Sequence, residues 1–392
     1  MANTHSPRRL LIGGVVAVAA MATSMLTAVT VAADEVATTE GAFAVYMAPT
    51  DAGGSDDNDG LTPETAVNTI PRVHEILTAE RPDSDVEVRV KQGDYVSKPF
   101  EEWRFYVPGH SVSFMPIDYE PGDGIGDIDG LPTFRNDKCG SSYCGGFWLQ
   151  PRLPLDEDDP LYNGGDSNLR FFYLRVERYP TGGLSIFGNS ERDWDDETYD
   201  PPLHIKPTEG LNNNEAYGMQ FRYLGNTHAP GRWGYGGIVL TNSSNNKVVN
   251  SHFASIENSD MPTHIHGMYV THHSSNNVIQ KNKFYDITGY PVKFRNQSND
   301  NNVEENIIER AGRISYYRGE FCDTACAIEH DMSQQCASWG NRFFYNRLRG
   351  NHAGDQPSLW SLSPEGLTNP GGEPCTAPDD KQRVYTGGNI RE

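Results

Sequence analysis

Three stretches decide how this chain folds: GGIVLTNSSNNKVVNSHF at 236–253, GMYVTHHSSNNVIQKNKF at 267–284 and PVKFRNQSNDNNVEENII at 291–308. Each reads as a short alternating strand, a polar turn of Ser and Asn, and a second short strand. His266 and Tyr290 stand 24 residues apart, and Phe253 and Phe284 stand 31 apart, one unit plus a loop at 258–264. A repeat of this size is the mark of stacked units that bury a continuous core between them. The strands are too short and too evenly spaced to be helices. Asn occurs 13 times between Asn242 and Asn306. It tolerates left-handed backbone and bonds to neighbouring chain, as stacked turns require.

Outward from this centre, further strands are expected at 87–90, 111–115, 169–176, 184–187, 219–223, 326–329 and 342–345. The segment 193–215, rich in Asp, Pro and Asn, reads as an excursion from the coil. Near the start, Thr62-Pro63-Glu64 suits a helix entry, and Ile70, Val73, Ile76 and Leu77 recur at helical spacing. Such a helix covers the open first coil, as terminal caps do in repeat proteins. Coils are expected over about 85–350, followed by a loop-rich tail at 351–392.

Residues 1–33 read as a signal peptide: Arg8 and Arg9, an apolar run over 10–32, and the small residues Val31-Ala32-Ala33. The remaining 34–392 are expected to form one secreted, extracellular domain. The whole chain has 392 residues, 32 Lys+Arg, 53 Asp+Glu and a net charge of −21. Loss of Arg8 and Arg9 leaves 30 basic against 53 acidic groups, a net of −23. A mean hydropathy of −0.60 excludes a multi-span membrane protein. The acid excess argues against nucleic-acid binding, which needs a basic footprint. No membrane contact is expected after cleavage, and a monomer is expected. Six cysteines (Cys139, Cys144, Cys322, Cys326, Cys336 and Cys375) fit disulfides in an oxidising compartment. Cys139 and Cys144 make a plausible local pair, and the other four allow three pairings. Cys322, Cys326 and His330 lack four-ligand zinc spacing.

The run SDDNDGLTPETAVNTI, the segment VEVRVKQGDY and the Asn-rich coils resemble secreted right-handed parallel β-helix proteins of the pectin-lyase-like superfamily, over roughly residues 44–350. The resemblance implies an all-β fold, a single-stranded right-handed parallel β-helix with an N-terminal capping helix. Many members are lyases of acidic polysaccharides. GMYVTHHSSNN and VKFRNQSNDNN are similar to the two-coil core of chondroitinase-B-like and alginate lyases, in which a strand Lys precedes an Arg one coil on. Arg295 falls on the Arg position; Thr271 falls on the Lys position, a departure. Tyr269 and Lys293 sit two residues earlier on their strands, a pairing closer in kind to polysaccharide lyase family 31, the β-helix alginate lyases. The substrate implied is an anionic, uronate-containing polysaccharide, with alginate as first guess.

Alternation says which side chains leave the core. Met268, Val270, Val292 and Phe294 point in, so Tyr269, Thr271, Lys293 and Arg295 point out. Stacking puts Val239, Tyr269 and Lys293 in one outward column and Thr241, Thr271 and Arg295 in the next. Coils about 4.8 Å apart then gather Tyr269, Lys293 and Arg295 around a space of one sugar ring. β-Elimination needs a cation beside the uronate carboxylate, for which Arg295 is suited, and a base. Tyr269 serves as base if Lys293 lowers its pKa, or the two exchange roles. His266 and His272 are expected to line the substrate. Arg222 and Gln220 are expected to extend the face toward further sugars. Glu329 and His330 are expected one coil beyond, with Glu329 in the Arg295 column, either pairing with Arg295 or touching substrate. The ordinary alternative is that these are solvated residues on an external sheet.

His264, His266, His272 and His273 invite a metal, but lack a carboxylate or further ligand held close; no metal is assigned. Asp56-Asp57-Asn58-Asp59-Gly60 resembles a calcium loop without the EF-hand's spacing or terminal Glu. A structural turn is the expected reading and calcium the alternative; no cofactor is required. Competing functions are a β-helix glycoside hydrolase, which needs clustered outward carboxylates, a non-catalytic carbohydrate-binding β-helix, and a mannuronan epimerase.

Overall fold

The computed structural model describes residues 41–137, 145–188, 208–321, 335–350, 352, 357–363 and 380–392. All fall within the unit 37–392. The expected leader, the cysteine pair Cys139/Cys144 and most of the excursion at 193–215 lie outside the described residues, as do Glu329 and His330. Cys336 is disulfide-bonded.

Each turn of chain lays one strand into each of three parallel sheets. The first sheet starts with Phe43–Met47 and Val86–Val90 and ends with Val384–Gly387. The second runs from Asp94–Val96 to Ile390–Arg391 and includes Gln220–Leu224, His252–Ile256 and Lys283–Ile287. The third holds Phe147–Pro151, Gly182–Phe187, Gly236–Thr241, His266–Thr271, Tyr290–Arg295, Ser315–Glu320 and Ser358–Leu362 in neighbouring order. The all-β parallel β-helix expected from the repeat is the observed fold.

Repetition stacks like on like in the core. Phe221, Phe253 and Phe284 pile ring on ring at 5.3 and 4.8 Å, and the second sheet continues the column with Ile308 and Leu348. Burying each such side chain is worth about 1.5–3 kcal/mol. Two Asn ladders run beside this core. Asn214, Asn246, Asn277, Asn301 and Asn341 form one, each giving its backbone N–H and Nδ2 to the next Oδ1. Asn306, Asn346 and Asn389 repeat the pattern at another corner. Other Asn residues, among them Asn242, Asn245 and Asn276, take left-handed backbone at the turns.

The helix Ile70–Glu80 buries Ile70, Val73, Ile76 and Leu77, as its spacing predicts, but its entry differs. Pro63–Thr65 is only a 3-10 turn, because Val67 is drawn into a bridge with Met47. The helix starts after Thr69, whose Oγ1 accepts from Arg72 N–H and donates to Asp56 Oδ2 at 2.7 Å. Thr69→Ala should cost about 1 kcal/mol, read as a lowered urea midpoint. Asp56 Oδ1 also accepts from Asn68 and Thr69 N–H, and Asp59 Oδ1 from Leu61 N–H and Thr65 Oγ1.

The coils also extend further than the composition suggests. Phe43–Met47 pairs in register with Val86–Val90, so the stack begins before the helix. The supposed tail contributes Ser358–Leu362, Val384–Gly387 and Ile390–Arg391, strands whose Gly and Pro neighbours hid them. Among the described residues no helix is long and apolar enough to cross a membrane.

Candidate active site

Register on the third sheet aligns Val239, Tyr269, Lys293 and Arg318, and beside them Thr241, Thr271, Arg295 and Glu320. Gly267 helps set this geometry. A Cβ there would lie 2.5 Å from the Phe284 ring and 2.6 Å from the Pro291 carbonyl oxygen, so only glycine lets the strand descend onto the core just before Tyr269.

Tyr269 is 9% exposed. Lys293 Nζ lies 5.2 Å from its ring centre, and Arg295 Nη1 donates to its hydroxyl at 3.4 Å. Burial alone would raise its pKa. The charges of Arg295 and Lys293, with hydrogen bonds from Arg295 and Thr271, outweigh burial and hold the phenol below its ordinary value.

A chain of hydrogen bonds fixes the direction of those donors. Arg295 Nε only donates, so Gln335 turns Oε1 toward it at 2.5 Å. Gln335 Nε2 then faces His272 Nε2 at 3.3 Å, which must accept. The His272 proton therefore sits on Nδ1, 2.7 Å from Thr271 Oγ1. Thr271 is left to donate to Tyr269. Burial, then Arg295 and His273, push His272 down to about 3, so it stays neutral. Its place is set by a left-handed turn at His272 and His273, φ 52° and 62°.

His266 is 1% exposed. Its ring stands edge-on to Tyr269 at 5.3 Å and stacks on Tyr290 at 5.6 Å, and Nδ1 accepts from Tyr290 N–H. Burial, Lys293 and His264 keep it neutral. It supports the floor, which corrects the expectation that it lines the substrate. His264 packs against Trp233 at 4.9 Å; burial and Lys293 lower its pKa despite Glu320.

Three residues here escaped the sequence reading. Arg318 and Glu320 occupy the coil beyond Lys293 and Arg295, the place expected for the strand at 326–329. Val292 and Tyr317 are partners, so the period signal was present. Glu320 accepts from Arg318 at 3.1 Å and pairs with Lys293 at 3.3 Å. Burial would raise its pKa, but Lys293, Arg318 and Arg295 hold it below the usual value. Gln335 was not legible, being 40 residues from its partner Arg295.

Gln220 and Arg222 do not join this face. They lie on the second sheet, opposite Arg175 and Glu177 on one side and His252 and Ala254 on the other. Alternation correctly sends them outward but carries no information about which sheet they leave. Among the described residues no group of three or more His, Cys, Asp or Glu is arranged to hold a metal ion.

The family described as a right handed beta helix region matches residues 208–358. Comparison with curated proteins finds no match. Among solved structures the chain is similar to a rhamnogalacturonan lyase at 13% identity, covering 78% of this chain and 68% of that one, with a TM-score of 0.48. It is similar to an alginate lyase from Paenibacillus sp. str. FPU-7 at 11% identity, covering 82% and 93%, TM-score 0.40. A GH136 lacto-N-biosidase from Eubacterium ramulus aligns at 10% identity over 89% and 60%, TM-score 0.40. The matched family model and the three parallel sheets agree on the fold, a right-handed parallel β-helix.

Proposed function

We propose that this chain is a secreted polysaccharide lyase that cuts a uronate-containing polymer by β-elimination at Tyr269, Lys293 and Arg295. The observation that carries the reading is the phenol oxygen of Tyr269 facing donors from both Arg295 and Thr271. An oxygen so placed is stabilised as phenolate, which suits a base.

In the proposed step the substrate carboxylate lies against Lys293 and Arg295. Tyr269 phenolate takes the C5 proton, and the electrons left on C5 delocalise into the carboxylate, where the two cations stabilise them. The C4–C5 double bond then forms as the C4–O4 bond breaks. The leaving O4 receives a proton from the Tyr269 hydroxyl, which restores the phenolate. His272 and Gln335 touch no reacting atom in this scheme; they orient Thr271 and Arg295 toward the phenol.

A hydrolase needs two carboxylates flanking the scissile bond, one protonated. The strands Gly236–Thr241, His266–Thr271, Tyr290–Arg295 and Ser315–Glu320 contain one, Glu320, whose pKa is lowered rather than raised. The elimination reading is therefore favoured. The pairing of Tyr269 with Lys293 makes alginate the first polymer to try, alongside pectate, glucuronan and glycosaminoglycans. New ultraviolet absorbance from unsaturated uronate ends supports the reading. New reducing ends without absorbance, or binding with neither, would sink it.

The same site sets a pH dependence. The active form is the phenolate, so the rate should rise with pH through the Tyr269 pKa, with a midpoint below the ordinary phenol value. Lys293→Met removes a cation that favours the phenolate and should move that midpoint upward. A downward or absent shift in the pH–rate profile counts against Tyr269 as base.

A further inference from the structure

The residues that proved to lie on the second sheet form a cluster of their own. Arg175, Gln220, His252 and Lys283 occupy successive rungs of one outward column, and Arg222 stands beside Gln220 in the next. Rungs about 4.8 Å apart place these cations along a strip four rungs long. The protein elsewhere carries a large acid excess, −21 in all.

The acid in the next column engages only the Arg175 end of this strip. Glu177, the rung neighbour of Arg222, is held by Arg135 at 3.5 Å and Arg175 at 4.0 Å. Among the described residues Arg222 and Lys283 make no ion pair. Arg222 Nε and His252 Nε2 are buried with no hydrogen-bond partner. A buried polar nitrogen without a partner is destabilising. His252 is held neutral, its pKa pushed to about 4 by burial and by Lys283, Arg222 and Arg175. Lys283 is the rung neighbour of His252 on one side, and Arg222 and Arg175 lie on the rungs before it.

The surroundings also suit a sugar. The Arg222 guanidinium lies 5.4 Å from the centre of the Tyr223 ring, and Lys283 Nζ lies 5.9 Å from that of Tyr285. Each cation thus stands beside a tyrosine at the surface, an apolar ring next to a positive charge.

We propose that Arg175, Arg222, His252 and Lys283 form a second oxyanion site, on the second sheet and apart from the Tyr269 face, which takes the carboxylate of an acidic saccharide. It does not rest on the lyase reading, since a chain that only binds carbohydrate would use it equally. The strip is short and flanked by aromatic rings, which fits one or two charged sugars better than a long polyphosphate.

The test is a titration of the full chain with trigalacturonate, followed by NMR at the His252 Cε1 proton. A bound carboxylate favours the imidazolium, so the His252 pKa should rise by about one unit or more. Arg222→Ala combined with Lys283→Gln should weaken binding about tenfold or more, and each single variant should weaken it in part. Tyr269→Phe, on the other face, should leave the His252 response in place even where turnover stops. Three results would each overturn the proposal: no response at His252, an equal response to a neutral trisaccharide, or inorganic phosphate bound as tightly as trigalacturonate.

Discussion

Tyr269→Phe should abolish the growth of ultraviolet absorbance from a cleaved uronate polymer, lowering kcat by about 10³-fold. General base catalysis contributes about 10²–10⁴-fold, and phenylalanine keeps the ring while deleting the only atom assigned to move the proton. The fold should survive. The ring packs with Phe147 and Val239 and lies edge-on to His266, and only the long hydrogen bond from Arg295 and that from Thr271 are lost. The loss of stability should be about 1 kcal/mol, separable from the loss of rate by urea unfolding of the same preparation. A variant within about tenfold of the natural kcat would remove Tyr269 from the reaction and return the base role to Lys293. Because Lys293 is tied to Glu320 at 3.3 Å, that alternative requires the ion pair to open first.

The second large effect is on stability. Asn301→Ala should lower the unfolding free energy by about 3 kcal/mol, seen as a lower urea midpoint. Asn301 Oδ1 accepts from the backbone N–H and Nδ2 of Asn277, both at 2.9 Å, and its Nδ2 donates to Asn341 Oδ1 and to Ser274 O. Asn301 is fully buried, so alanine strands the Asn277 N–H and the Ser274 carbonyl where water does not replace the lost partner. Asn245, an exposed residue of the same repeat with φ 59°, is the contrast. Asn245→Gly should change stability by about 0.5 kcal/mol or less, since glycine adopts that backbone freely. Equal effects at the two positions would show that the ladder contributes nothing beyond turn geometry.

The same contrast explains how much was legible. The 24- and 31-residue spacings correspond to true neighbours, His266 with Tyr290 and Phe253 with Phe284, because equal coils put equal positions one above another. Tyr269, Lys293 and Arg295 could be gathered from alternation and that register alone. Arg318 and Glu320 were within reach of the same rule, but the strand expected at 326–329 displaced them. Gln335 was beyond it, since the coil from Arg295 to its partner is lengthened to 40 residues and no local pattern measures a loop. Gln220 and Arg222 failed for a different reason: three sheets share one inward direction, and outwardness does not name a face.

By itself the sequence determined the coil, the inward and outward sides of each strand, and the neighbours of each residue where coil length is constant. These follow from a side-chain period of two and a repeat that preserves register. Only the tertiary structure decided which of the three faces a polar residue occupies. It also brought Gln335 to Arg295 and His272, and it left Arg222 and His252 on neighbouring rungs with unpartnered buried nitrogens. Those outcomes depend on how far each corner turns and how long each loop runs, quantities set by packing of the whole stack rather than by any short stretch of chain.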